Sequence, residues 1–226
     1  ENLDAASKRF AKLFVPKAAQ KIFGLRTLIL NKASKIFKQR MSKRLWVIGS
    51  NEVTGISIEE SFKNLIRLLD KHLERRPYIF GNRPSIADFA LWGHIYNANN
   101  DVTANEFIQK HTPKLNDWID RMIDPKEQGG FEEWHELKPT LLPLIKEEIS
   151  EMFLPWVTAN NDAVKNNKDE LSITLKGRPF EHKVTSVQRF HAKSFGLLME
   201  HYKTVSQDQE LKKTLVEAGA EEYLNA

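Results

Sequence analysis

Cysteine is absent from the sequence. Disulfide scaffolds, thiolate zinc sites, iron–sulfur clusters and cysteine nucleophiles are therefore excluded together. Long apolar runs are missing as well. The longest candidate, residues 25–30, is interrupted by Arg26 and Thr27, far short of the roughly 18 residues that a membrane helix needs. The chain starts at Glu1 rather than Met, with no basic-then-apolar leader. The expectation is a processed product or a piece of a longer chain, with the cytoplasm as its place. No His-Glu-x-x-His, no phosphate-binding loop with its Lys-Ser/Thr and no Gly-x-Ser-x-Gly occurs. His135-Glu136 lacks a second histidine. His191 and His201 share a helical face but lie too far along it to hold one metal. No metal site and no catalytic residue is assigned. Glu132-Glu133 and Glu147-Glu148 are adjacent carboxylates, which point apart on an α-helix and read as solvated.

What is present is a globular composition. Of 226 residues 41% are hydrophobic, with 13 Phe and 5 Trp, enough to bury a core in one large domain or two small ones. Charge is unevenly spread. Residues 1–50 hold 12 Lys and Arg against only Glu1 and Asp4, whereas the remainder holds 22 against 28 acids. A basic block can meet nucleic acid, an anionic surface or an acidic partner, or can simply be a solvated helix face. Lys8, Arg9, Lys12, Lys35, Lys38, Lys43 and Arg44 carry that block. Aliphatic residues, not stacking aromatics, separate these cations, which argues against single-strand binding.

Helical periodicity dominates the chain. Phe10, Leu13, Phe14, Ala18, Ile22, Leu25, Ile29, Ile36, Met41 and Leu45 recur at three- and four-residue steps. Pro16 divides them into a short helix ending near Phe14 and a longer one reaching about Trp46, or kinks a single helix. After a connection at residues 49–55, Ser57 and Glu60 have the spacing of a capping box, and Ile58, Phe62, Leu65, Ile66, Leu69 and Leu73 follow, with Pro77 as the stop. Gly81 and Asn82 make a turn. Ser85 and Asp88 repeat the cap spacing ahead of a helix with Phe89, Leu91, Trp92, Ile95 and Tyr96 on more than one face, expected to be central and nearly buried. Gly93 within it suggests close approach by a neighbour. Thr112-Pro113 opens a short helix carrying Leu115, Trp118, Ile119 and Met122, which Asp124-Pro125 stops. A stripe at residues 140–160 gives another, with Pro155 bending or breaking its end. Leu171, Ile173 and Leu175 then alternate with polar residues, Gly177-Arg178-Pro179 turns, and residues 180–184 return, predicting a β-hairpin near 170–184. Two further helices cover about 185–203 and 207–218.

The stretch 78–93, Tyr-Ile-Phe-Gly-Asn-Arg-Pro-Ser-Ile-Ala-Asp-Phe-Ala-Leu-Trp-Gly, resembles the C-terminal helical domain of glutathione transferases. In that family an aromatic, a Gly turn and Ser/Thr-x-Ala-Asp open the central helix; Ser85, Ala87 and Asp88 match. The resemblance extends over about residues 1–125, and the tail is similar to an extension carried by some bacterial-type members. It implies an all-α fold, a glutathione-transferase C-terminal-like helical bundle with a small β-hairpin in a C-terminal extension. The division expected is 1–135 for the helical core and 136–226 for the extension, packed on the core.

The family likeness also implies a function. This half of a transferase builds the wall that holds a hydrophobic co-substrate and part of the dimer contact. Glutathione and its thiol-activating residue belong to a thioredoxin-like domain, and no βαβ-ββα pattern of that kind is legible here. Partners implied are a hydrophobic small molecule and either a second copy or a thioredoxin-like domain. No membrane is implied, and nucleic acid is placed last. In the family the first helices line the apolar pocket, which would assign Phe10, Phe14 and Phe23 to it; ordinary core packing is the alternative. Ser85 and Asp88, like Ser57 and Glu60, are read as structural caps worth about 0.5–2 kcal/mol each, not as reactive groups. Two other functions stay open: a free-standing helical protein-interaction module, and a nucleic-acid or anionic-surface binder acting through the basic helices.

Overall fold

The computed structural model describes residues 7–8, 11–12 and 26–224. Phe10, Phe14 and Phe23 lie outside the described residues, as does the expected division at Pro16. The described chain is helical, with one two-stranded antiparallel sheet.

Helix α1 spans Arg26–Leu45 and tightens into a 3₁₀ turn, Trp46–Ile48. Gly49 ends it in the left-handed region, φ +83°, and a Cβ there would stand 3.3 Å from the His182 ring. Only glycine satisfies both demands without strain. The buried line of α1 is displaced from the predicted stripe: Ser34 is buried and Phe37 half-buried, whereas Ile36 and Leu45 are exposed.

Helix α2, Gly55–His72, begins earlier than Ser57 predicts. The reason is a local turn that the capping-box spacing conceals. The Asn51 side chain accepts from the backbone N–H groups of Val53 and Thr54, and the Thr54 hydroxyl donates to the Gly49 carbonyl at 2.6 Å. That turn delivers the chain to Gly55 already helical. Ser57 therefore sits inside the helix with its hydroxyl unpaired, and Glu60 reaches outward to Arg178 at 2.7 Å. Neither residue is a cap.

Helices α3 (Ile86–Asn99), α4 (Val102–His111) and α5 (Pro113–Arg121) follow. They close a first core with α2: Ile66, Leu69, Ile95, Ile108, Leu115, Trp118 and Ile119 are buried together. The expectation that α3 is nearly buried is overturned. Ile86 is 87% exposed, Phe89 52% and Tyr96 39%, and among the described residues nothing lies within 4 Å of where a Cβ on Gly93 would stand. Its apolar residues do wrap the helix, but the fold covers only the side bearing Asp88 and Ile95.

Residues 134–165 run as one rod: α6 (Trp134–Leu144), a π-helical stretch (Ile145–Phe153) and α7 (Leu154–Lys165). The helix starts six residues before the predicted stripe, which leaves Pro139 and Pro143 inside α6. Pro155 neither breaks nor ends the rod; it occupies the first turn of α7, and the wider π register ahead of it takes up the missing donor.

Strands β1 (Glu170–Leu175) and β2 (Arg178–Lys183) pair with Leu171 opposite His182 and Ile173 opposite Phe180. The turn is Lys176-Gly177, with φ of +47° and +77°, one position ahead of the predicted Gly-Arg-Pro turn. Two left-handed residues give the twist that a two-residue hairpin requires. Pro179 consequently falls within β2, on its exposed side. Helices α8 (Ser186–Val205), α9 (Gln209–Ala218) and α10 (Glu221–Leu224) complete the chain. A second core joins Leu154 and Val157 of α7 to Phe195 of α8 and Ala220. Helix α6 belongs to the first core through Leu137, Leu141 and Leu144, and its contacts with α9, together with the rod that continues into α7, tie the two cores together. Among the described residues no helix is long and apolar enough to cross a membrane.

Candidate functional site

Two buried polar centres hold the first core. Asp88 is fully buried, and its carboxyl group accepts four hydrogen bonds. They come from the backbone N–H of Ile79 (2.9 Å), the backbone N–H of Ser85 (2.9 Å), the Ser85 hydroxyl (2.7 Å) and the indole of Trp118 (3.0 Å). The Ser85 oxygen in turn accepts from the Asp88 N–H, so the two residues form a reciprocal capping box. One side chain thereby fixes the start of α3, the turn before it and the middle of α5. Such a saturated group is structural: no lone pair faces a cavity. At that turn Gly81 has φ +119°, and a Cβ would come within 2.7 Å of the Glu132 backbone nitrogen.

The second centre is His72. Its Nε2–H donates to the Ile79 carbonyl at 2.7 Å, and its Nδ1 accepts from the Thr140 hydroxyl at 2.8 Å, with an Arg76 guanidinium nitrogen at 3.1 Å. Arg76 also pairs with Glu132 at 2.9 Å. Burial pushes the His72 pKa below its ordinary value, and the Arg76 charge pushes the same way. No group of three His, Asp or Glu placed to hold a metal occurs among the described residues.

The arrangement best suited to a ligand lies elsewhere, where the end of α1 meets the hairpin. A groove of about 770 Å³ opens between the segment Trp46 to Val53 and the two strands. Trp46 and Val53 present half-exposed apolar surface, Leu171 and His182 form its buried floor, and Glu52, Glu170 and Lys183 stand at the rim. Its two walls are joined by hydrogen bonds. The Asn51 amide donates to the Glu181 carbonyl at 2.7 Å, and the Gln188 amide to the Val47 carbonyl at 3.0 Å. His182 is clasped from behind. Trp156 Nε1–H donates to its Nε2 at 2.8 Å, and its Nδ1–H donates to the Lys183 carbonyl at 3.1 Å. The indole stacks on the imidazole at 5.9 Å, with the Phe180 ring edge-on. Burial lowers the His182 pKa, and nearby His191 lowers it further. With its acceptor nitrogen committed to a donor-only indole, His182 is a neutral wall, not a base.

The sequence model for the glutathione S-transferase C-terminal domain matches residues 37–121. These residues form a glutathione transferase C-terminal-like domain. Comparison with curated proteins and with solved structures found no significant match. Trp46, Asn51, Glu52 and Val53 belong to the glutathione transferase-like span, and the opposite wall of the groove lies beyond it.

Of the residues singled out in the sequence, Ser85 and Asp88 are brought together at the start of α3, away from the groove, and Ser57 and Glu60 lie on α2. Trp46, Asn51 and His182 were not singled out. The hairpin alternation places His182 inward, but its bond to Trp156 joins residues 26 apart through no local pattern. The adjacent pair Glu147-Glu148 also departs from expectation. Both carboxylates accept from the Asn64 amide, at 2.8 and 2.7 Å, so they converge instead of pointing apart. The reason is the π-helical winding beneath them, whose wider turn changes the angle between successive side chains.

Proposed function

We propose that the chain is the co-substrate half of a glutathione transferase-like protein, and that the groove between Trp46–Val53 and the hairpin receives a hydrophobic small molecule. The observation that supports this reading is a groove floored by Leu171 and the neutral His182 ring, with the apolar faces of Trp46 and Val53 on a wall inside the transferase-like span. Half-exposed Trp46 and Val53 give an aromatic ligand area to cover, at about 25 cal/mol per Å² removed from water. In this reading the thiol chemistry is supplied by a thioredoxin-like domain, and residues 26–224 contribute binding and orientation. Glutathione is then a co-substrate of the assembled protein and not a ligand of the groove.

A fluorescence titration tests it. A nitroaromatic electrophile such as 1-chloro-2,4-dinitrobenzene is expected to quench Trp46 saturably. Trp46→Phe and Val53→Asp are each expected to weaken binding about tenfold, as measured by calorimetry. Glutathione alone is expected neither to quench nor to compete, and purified chain is expected not to conjugate it. Absence of saturable binding, or binding untouched by both substitutions, would refute the assignment. Glutathione-dependent turnover by the purified chain would place the thiol site within this sequence and refute the division of labour.

A further inference from the structure

The hairpin is a sheet of two strands, and its two edges are finished differently. The two-residue turn at Lys176-Gly177 makes Leu175 and Arg178 the closing hydrogen-bonded pair. Alternation then makes Ile173–Phe180 and Leu171–His182 the next bonded pairs, and the Val184 N–H on the Asp169 carbonyl at 2.8 Å continues the series. Glu170, Ser172 and Thr174 therefore point their backbone groups away from β2, and Pro179, Glu181 and Lys183 point theirs away from β1.

The β2 edge is occupied. Pro179 offers no N–H, the Glu181 carbonyl accepts from Asn51 at 2.7 Å, and the Lys183 carbonyl accepts from the His182 ring. The β1 edge is bare. Among the described residues no hydrogen bond reaches the backbone of Glu170, Ser172 or Thr174, and all three residues are exposed. Such groups stay in water or find a partner strand. Native edges are normally guarded by proline, lysine or a bulge, and Glu170–Leu175 contains none of these. One side chain is also unfinished. Leu171 and Leu175 are buried on the inner face, whereas Ile173 between them on the same face is only half-buried.

We propose that β1 pairs with β1 of a second copy, antiparallel across a two-fold axis, to make one four-stranded sheet. The strand's own sequence selects the register. With Ile173 on the axis, Ser172 of one copy comes opposite Thr174 of the other, Leu171 opposite Leu175, and Glu170 beside Lys176 at the turn. Each cross-strand pair is then matched in kind: aliphatic with aliphatic, hydroxyl with hydroxyl, acid with base. The outward N–H and C=O groups of Ser172 and Thr174 bond those of Thr174 and Ser172 in the other copy, and the two Ile173 side chains cover each other. A two-residue slip one way sets Leu175 against Asp169 and Lys176 against Lys168; a slip the other way leaves Leu171 against Gly177. The contact is isologous, so it closes at the dimer. It does not rest on the co-substrate reading.

Sedimentation velocity of the full chain at concentrations up to about 500 μM tests the pairing. One strand pair buries little area, so a reversible dimer with Kd of about 100 μM or tighter is expected. Thr174→Pro removes an N–H that makes no bond within the chain, and is expected to weaken the dimer at least about tenfold while keeping the parent melting curve. The absence of cysteine allows a test of register that does not depend on that variant. In the proposed register Ile173 meets its own copy as a non-hydrogen-bonded pair, about 4.5 Å apart at Cα and within disulfide range. Ser172 lies diagonally from its own copy, about 8 Å away and beyond that range. Under mild oxidation Ile173→Cys is therefore expected to form a covalent dimer at least about tenfold faster than Ser172→Cys, although Ser172 is the more exposed. A chain that stays monomeric at about 500 μM would overturn the proposal. So would a dimer indifferent to Thr174→Pro, or cross-linking of Ser172→Cys as fast as that of Ile173→Cys.

Discussion

His72 in the first core and His182 in the second are both buried, yet they are wired in opposite senses. His72 carries its proton on Nε2 and presents Nδ1 to Thr140 and Arg76. His182 carries it on Nδ1 and presents Nε2 to Trp156. Each donates to a backbone carbonyl and accepts from a side chain, so each is held neutral. What differs is the company. The first core surrounds its histidine with a guanidinium, a carboxylate and the saturated Asp88 nearby. The second core uses an indole and leaves Asn160 Oδ1 and Thr158 Oγ1 buried without partners. Polar saturation is therefore complete around the Ser85–Asp88 hub and incomplete beneath the hairpin, while elsewhere in the transferase-like span the Ser57 hydroxyl is likewise buried without a partner.

Asp88→Ala is the sharpest way to break that contrast. It strands the Trp118 indole and the Ile79 amide at once, so the cost is expected to be about 3–5 kcal/mol, above the 0.5–2 kcal/mol of a cap alone. Denaturant unfolding measures it, and hydrogen exchange should show protection lost throughout α2, α3 and α5. A loss no larger than that of Ser85→Ala would mean that the hub is only a cap.

Trp156→Phe removes the donor to His182 and is expected to cost about 1–3 kcal/mol. Its effect should stay local: exchange in β1 and β2 accelerates, whereas amides of α2 and α5 keep their protection. Equal acceleration in both regions would show that the cores unfold as one unit.

Acidification acts on both histidines with the same sign. Each has a folded pKa below the ordinary value of about 6.5, so below that pH the unfolded chain takes up protons that the native state refuses. Stability is full above about pH 6.5 and falls as pH drops from there toward the folded pKa values. Melting temperature at pH 7.5 and 5.5 measures the loss, and His182→Gln is expected to remove only the second core's share of it. An unchanged pH slope in that variant would assign the effect to His72 alone.

Ser57→Ala is expected to change stability least, within about 0.5 kcal/mol or slightly upward, because the lost hydroxyl has no partner to desert. A large loss on thermal melting would reveal a bond that the structure does not contain.

The sequence discloses these two regions unequally. Helix periodicity and the Ser85-x-x-Asp88 spacing are local signals, and local signals suffice for α2, α3, α5 and the hairpin. Helix α4 was not foreseen, because its only mark is an Asp101 cap ahead of a short apolar pair, Phe107 and Ile108. The Ser57-x-x-Glu60 spacing misleads because an Asx turn three residues upstream competes for the same helix start. Burial of α3 was misjudged because apolar residues around a helix do not say which of them the fold covers. The groove was illegible for a different reason: its walls meet through pairs far apart in the chain, such as Asn51 to Glu181 and Gly49 against His182, with Gln188 of α8 reaching Val47, and no periodicity reports a pairing over such a distance.

That distance has a consequence in time. Asn51 and Glu181 are 130 residues apart in the chain, and Val47 and Gln188 are 141 apart. At a synthesis rate of about 5–20 residues per second, the first wall of the groove waits on the order of ten seconds for the second to be made. The α2–α6 bundle has every residue it needs during that interval, and its contacts close over shorter loops. The hairpin then docks onto a surface that is already standing, ahead of the contacts of α9 with α6 that close after it. During that wait Trp46 and Val53 are uncovered on a nascent protein, where a chaperone or another chain competes with the hairpin for them.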